Sequence, residues 1–420
     1  MDINTLLKGF VCQCGKEHKC DIENVYVENG AISRLTNLCE KYEKIILVAD
    51  ENTFAVAGDK TVKALEGKKI TQVIFSGKTV VIPNEQAIEK VNKALGDSEL
   101  IIGIGSGVMQ DLCKYVSHFA KIPYMVVATA PSMDGYASDG AAMILGGMKV
   151  TVKAGLPRAI VADTAVLKDA PMDMIQAGYG DIIGKYSALN DWKLSKIVNG
   201  EYFCQFIYDT TYQMILNTLE TAQGLLERRE DSVKALMEAL VIVGVMMSFA
   251  TSSRPASGSE HHLSHFFEIV GIIEDKPYFA HGIDVAYSTV ITAGIREKLA
   301  CSTFPKTLYS DDRENYVNKM RKVYKSVGDS CVELQDKVGN YKKDRLSAYL
   351  DNEQELKKVL KECPTAKEIE DMLSLVKMDI KEFYDAYGKE KIDNAVKYAK
   401  DLKDRYSVLW MNYDFYGDND

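Results

Sequence analysis

The chain has 420 residues, enough for two domains, and its 46% apolar and 26% charged residues are ordinary for a soluble globular protein. A net charge of −9 argues against nucleic acid or an anionic membrane as the main partner, so an anionic ligand would need a local basic pocket. Nine scattered cysteines, odd in number, suit a reducing cytoplasm rather than a disulfide framework. The opening Met1-Asp2-Ile3-Asn4 shows no basic region leading into an apolar run, so no signal peptide is expected. The longest apolar run, Ala239 to Met247, is too short to span a bilayer and reads as a buried helix, so no membrane insertion is expected.

In chain order, Cys12-Gln13-Cys14-Gly15 with His18 and Cys20 offers metal-capable side chains, but the spacing matches no standard zinc finger. A tight N-terminal turn or hairpin is expected there. Lys44 to Asp50 is an apolar run ending in an acid, the pattern of a buried parallel strand with Asp50 at its carboxyl end, where ligands of open α/β sheets bind. Gln72 to Phe75 is a second strand. Glu85 to Leu95 is an amphipathic helix with Ala87, Ile88, Val91, Ala94 and Leu95 along one stripe.

Leu100 to Gly107 is a strand running into a glycine-rich turn, followed by a helix over Val108 to Ala120. Gly105, Ser106, Gly107, Val108, Met109, Gln110 and Asp111 would then lie where a helix N-terminus meets a pyrophosphate. Val108 stands where a Gly-x-Gly-x-x-Gly fingerprint needs its third glycine, so the turn alone also reads as a close strand-to-helix connection. Asp50 is the candidate acceptor for adenosine ribose hydroxyls. Its charge would repel a 2′-phosphate and favour NAD over NADP, although it lies upstream of the turn rather than downstream.

Pro123 to Thr129 is a further strand, delivering a loop rich in small hydroxyl and acidic residues, from Ala130-Pro131-Ser132-Met133-Asp134 to Ser138. Ala159 to Thr164 reads as the last strand of a first domain over 1–170. From Pro171 the pattern turns helical, giving a second domain over 171–420. Gly178 to Lys185 reads as a helix start with Asp181 in its first turn, where an acid is favoured. Three of the six histidines fall within Ser257 to Glu268. On a helix His261 and His265 share one face, Glu268 follows one turn on, and His262 points about 100° away. His281 lies beyond, beside Gly282. The Lys-, Asp- and Glu-rich region from Lys306 to Arg405 reads as solvated helix faces without chemistry, and the acidic tail Tyr413 to Asp420 as frayed.

The order Gly105-Ser106-Gly107, Thr129 to Asp134, Asp181, His261-x-x-x-His265-x-x-Glu268 and His281-Gly282 resembles the dehydroquinate synthase and iron-containing alcohol dehydrogenase superfamily. Within it the chain is most similar to the sn-glycerol-1-phosphate dehydrogenases of the bacterial type, over roughly residues 10–300. The Cys-x-Cys-Gly-x-x-His segment resembles that group's N-terminus. The resemblance implies a Rossmann-like α/β nucleotide-binding domain followed by an all-α metal-binding domain, as in dehydroquinate synthase. It implies one divalent metal (nickel, zinc or iron) held by Asp181, His261 and His281, with His265 and Asp134 on the substrate. It also implies NAD, or NADP, lined by Gly107 to Asp111, Thr129 to Ser132 and Ser138. The activity implied is interconversion of dihydroxyacetone phosphate and sn-glycerol 1-phosphate by a homo-oligomer, taken as a dimer. Lys185 and Arg254 are the candidate phosphate ligands.

Sister families differ at particular residues. Dehydroquinate synthases, which are lyases, carry a glutamate where Asp181 stands, and iron alcohol dehydrogenases carry Thr-Gly-Ser-Glu where Ala130-Pro131-Ser132-Met133 stands. Glycerol dehydrogenases share the metal triad and stay open as an alternative.

Overall fold

The structure is a computed structural model describing residues 2–146, 148–310 and 312–417; residues 418–420 of the acidic tail lie outside the described residues. The chain divides into two compact units, Met1–Ile182 with Leu216–Ser252, and Ile183–Ile215 with Ser253–Asp420.

The described residues of the first unit form ten strands: β1 (Phe10–Val11), β2 (Glu17–His18), β3 (Asn24–Glu28), β4 (Lys44–Asp50), β5 (Lys69–Phe75), β6 (Leu100–Gly105), β7 (Tyr124–Ala128), β8 (Gly140–Leu145), β9 (Met148–Lys153) and β10 (Ala159–Asp163). Six form a wholly parallel sheet in the order β3-β10-β7-β6-β4-β5. β6, β7 and β10 are buried at every position, the condition of a parallel sheet covered on both faces. Ile45, Leu47, Ile102, Val127 and Val161 lie in one core cluster, each contributing about 1.5–3 kcal/mol through burial.

The chain runs outward from β4 to β5 and then crosses to β6 on the other side, so the strand order reverses between β4 and β6. Ligands of open α/β sheets bind at such a reversal, outside the carboxyl ends. Val48 pairs with Gly103, so Asp50 and Gly105 end adjacent strands. Position upstream in sequence therefore does not remove Asp50 from the glycine turn.

Two elements are absent from the sequence reading. β3 is a short edge strand of alternating burial, and β8 and β9 form a separate antiparallel hairpin. A single cut after residue 170 also differs from the observed units. The helix Glu230–Ala250 packs on β3 and on the turn Asp134–Ala137, which puts residues 216–252 in the first unit. That helix is long and apolar enough to cross a membrane, but most of its apolar window is buried within the protein, as expected of Ala239 to Met247.

The described residues of the second unit are helical. Asp191 and Arg296 pair at 2.8 Å with almost no exposure, and Asp191 also accepts from the backbone N–H of Ser259 and Val408. This fixes the start of the helix Ser259–Glu274. The C-terminal helices are not merely solvated faces. Lys400 and Asp401 are fully buried, and the Lys400 ammonium lies 4.1 Å from the Tyr413 ring centre and 4.4 Å from that of Tyr316. Alternating charged residues conceal an aromatic core that a count of charges does not reveal.

Candidate metal and cofactor site

In the first unit, β6 turns directly into the helix Gly107–Ala120, with Ser106 as N-cap. Ser106 makes no side-chain cap bond, which leaves the first-turn N–H groups available to an anion. A Cβ on Gly105 would lie 2.6 Å from the Met109 side chain, and one on Gly103 would lie 2.8 Å from Gln110 Oε1. These glycines let the helix close onto its own strand. Gln110 turns inward, its Nε2 donating to the carbonyls of Gly103 and Gly105 at 3.0 and 3.2 Å. Of the expected cofactor residues, Gly105, Ser106, Gly107 and Val108 form the turn itself, whereas Met109 and Gln110 are buried beneath it. Asp50 N-caps the helix Glu51–Ala64, one carboxylate oxygen accepting from Asn52 and Thr53 N–H.

Lys114, unremarked in the sequence, is wholly buried on the same helix. Its ammonium donates to the carbonyls of Gly135 and Gly140 at 3.0 and 2.8 Å and lies 3.5 Å from Asp111 Oδ1. Burial lowers the Lys114 pKa and raises that of Asp111, each opposed by the other's charge. Asp111 thus faces Lys114, which anchors the loop containing Ser138.

That loop, Thr129 to Ser138, is clamped by two helical glycines. A Cβ on Gly178 would lie 1.8 Å from the Pro131 carbonyl oxygen, and one on Gly244 would lie 2.8 Å from that of Asp134. Tyr136 closes the loop on itself, donating to the Ala130 carbonyl at 2.6 Å. The Asp134 N–H donates to Asp181 Oδ2 at 2.9 Å. Asp181 is not in a first helical turn. It lies well inside the helix Met172–Asn199 and is fully buried. Gly178 and Gly180 read as a helix boundary, but Gly178 serves close approach to Pro131.

In the second unit, Gly184 lies on the same face of that helix as Asp181, three residues on. A Cβ there would lie 2.5 Å from Val285 and 3.4 Å from the Glu260 side chain, so this stretch packs tightly on the two histidine-bearing helices. The rings of His261, His265 and His281 converge, with centres 5.0 Å apart for His261 and His281 and 5.6 Å for His265 and His281. Fully buried Glu260, unremarked in the sequence, lies 2.7 Å through Oε1 from His261 Nδ1 and also accepts from Gly258 N–H. Burial alone would raise its pKa, but the His261 bond and charge hold it below the usual value. His262, set about 100° around the helix from His261 by the helical repeat, is fully buried; burial pushes its pKa well down, aided by nearby Arg405, Lys403 and Arg254.

The imidazoles of His261 and His281, with Glu260 and the Ser264 hydroxyl beside their Nδ1 atoms, offer nitrogen donors suited to a divalent metal. Both residues expected to take the phosphate also bond protein groups. Lys185 is fully buried and donates to the Ala256 carbonyl at 3.0 Å. Arg254 forks onto Glu201 at 2.7 and 2.5 Å and donates to the Tyr406 carbonyl. Its planar donors hold the loop ahead of the histidine helix.

Residues 26–171 match the family model of iron-containing alcohol dehydrogenases. Glycerol-1-phosphate dehydrogenase (NAD(P)+) of Geobacillus thermodenitrificans is 34% identical over 66% of this chain and 71% of its own length. The enzyme of the same name from Methanosarcina acetivorans is 32% identical over 64% and 75%. The solved structure of sulfoacetaldehyde reductase from Bifidobacterium kashiwanohense in complex with NAD+ shares the fold, with a TM-score of 0.60 at 12% identity over 96% of this chain and 99% of that one. By this similarity, the chain belongs to the glycerol-1-phosphate dehydrogenase family, a branch of the iron-containing alcohol dehydrogenases.

Proposed function

We propose that the chain catalyses the NAD(P)- and metal-dependent interconversion of dihydroxyacetone phosphate and sn-glycerol 1-phosphate. The observation that carries this reading is the buried Glu260–His261 pair within the cluster of three imidazoles, in a chain of this family. Asp181, His261 and His281 would hold the metal. Gly105 to Val108 would receive the pyrophosphate of NAD or NADP, and Thr129 to Ser132 and Ser138 would line the rest of it.

When bound, the metal supplies a Lewis acid for the ketone oxygen, and the reduced nicotinamide supplies hydride for C2. Glu260 holds the Nδ1 proton of His261, leaving Nε2 as the ligating lone pair. The Asp134 N–H fixes Asp181 Oδ2 and so the carboxylate plane. An imidazole nitrogen of His265 holds the proton that the product hydroxyl requires. Asp134 orients the free hydroxyl of dihydroxyacetone phosphate. The clamped loop and the buried Lys114 pre-organise the site and exclude water.

The substrate is a small phosphorylated triose. The protein would work in a reducing cytoplasm as a homodimer. NADH oxidation compared across dihydroxyacetone phosphate, dihydroxyacetone and glyceraldehyde 3-phosphate tests the reading. Preference for the first supports it; preference for unphosphorylated dihydroxyacetone indicates a glycerol dehydrogenase. Conversion of a phosphorylated sugar acid without net NADH consumption indicates a lyase.

A further inference from the structure

We propose that Cys12, Cys14 and His18 of the β1–β2 hairpin hold a structural zinc ion separate from the metal of the histidine cluster. The hairpin is built for it. Phe10 pairs with His18 across the strands, the Cys12 N–H donates to the Lys16 carbonyl at 2.9 Å, and Gly15 takes a φ of +86° at the tip. This turn brings Cys14 Sγ to 3.6 Å from His18 Nε2.

His18 is fully buried and its ring is fixed on both sides. It stacks on Phe249 at 5.1 Å, and Nδ1 lies 3.3 Å from the Phe249 carbonyl oxygen. A carbonyl can only accept, so Nδ1 carries the proton and Nε2 presents its lone pair on the cysteine side. A histidine that donates one ring N–H to a backbone carbonyl and aims the other nitrogen at a thiol is the arrangement expected of a zinc ligand. Two thiolates and one imidazole supply three of the four donors of a tetrahedral structural zinc site. Cys20, the fourth residue suggested by local spacing, hydrogen-bonds Ser248 instead.

The test is metal content and the cobalt spectrum, neither of which depends on turnover. Purified under reducing conditions and loaded with zinc, the wild type should hold two ions per chain. The double variant His261→Ala/His281→Ala should keep one, and Cys14→Ser should keep the other. Loaded with cobalt, the wild type and the double-histidine variant should both show thiolate-to-cobalt charge transfer with tetrahedral visible absorption, and Cys14→Ser should lose it. If Cys14→Ser does not fold, titrating the double-histidine variant with an organomercurial should release one zinc as its thiols react. A double-histidine variant that binds no zinc, a cobalt spectrum without thiolate character, or a Cys12–Cys14 disulfide in the reduced-purified protein would each overturn the proposal. All three readouts leave the reading of the dehydrogenase site untouched, so the two can fail separately.

Discussion

His261 Nδ1 lies 2.7 Å from Oε1 of Glu260, the residue immediately before it in the chain, and both side chains are buried. A carboxylate on Nδ1 fixes the tautomer and makes Nε2 a stronger donor. Glu260→Gln keeps the volume and removes the charge. Metal affinity is expected to fall about 10–100-fold while the far-ultraviolet circular dichroism stays unchanged. Competitive titration against a chelating dye measures this, and unaltered affinity would show that Glu260 only packs.

The metal assignment separates adjacent histidines. Asp181→Ala, His261→Ala and His281→Ala should each lose the metal of this site and its activity. His262→Ala should retain both, because the helical repeat sets His262 about 100° around from His261. It should instead lose about 2–4 kcal/mol of stability, because a fully buried ring is replaced by a cavity. Metal analysis alongside urea unfolding distinguishes the two outcomes, and metal loss in His262→Ala would refute the assignment.

Much of the first unit was legible in the sequence because its parallel strands are uninterrupted apolar runs. The strand Lys44–Asp50 and the helix Glu85–Leu95 match their expected bounds. β3 was not, since five residues alternating at a sheet edge carry little apolar signal. Asp181 was singled out but placed at a helix start, because Gly178 looks like a boundary until the Pro131 carbonyl is seen against it. Glu260 and Lys114 were invisible for a common reason. A charged residue in a sequence reads as exposed, and only the fold shows that its partners are buried with it.

Arg254 illustrates the same point and changes the expected behaviour of its variant. Because the guanidinium forks onto Glu201 and reaches the Tyr406 carbonyl, Arg254→Ala breaks a largely buried pair. A loss of about 3–5 kcal/mol of stability is expected, with catalytic efficiency toward dihydroxyacetone phosphate and dihydroxyacetone falling by similar factors. A selective loss on the phosphorylated substrate would return Arg254 to the phosphate pocket.

Cys39 gives a pH dependence of known sign. Burial pushes its thiol up to about 12 from an ordinary 9.0, with Lys68 opposing. Above pH 9 the unfolded chain loses this proton while the folded chain keeps it, so stability falls as pH rises from 9 toward 12. Cys39→Ala should flatten this decline, by about 1.4 kcal/mol between pH 8 and pH 10. Urea unfolding of both proteins at the two pH values provides the check. Equal declines would mean that the thiol does not contribute.

The handedness of the product decides whether the chain makes sn-glycerol 1-phosphate. Metal-loaded protein is incubated with NADH and dihydroxyacetone phosphate, and the product is then offered to an sn-glycerol-3-phosphate dehydrogenase with NAD. One NADH should be consumed per dihydroxyacetone phosphate reduced, and the second enzyme should not oxidise the glycerol phosphate formed. No NADH consumption, or a product that the second enzyme oxidises completely, would contradict this activity.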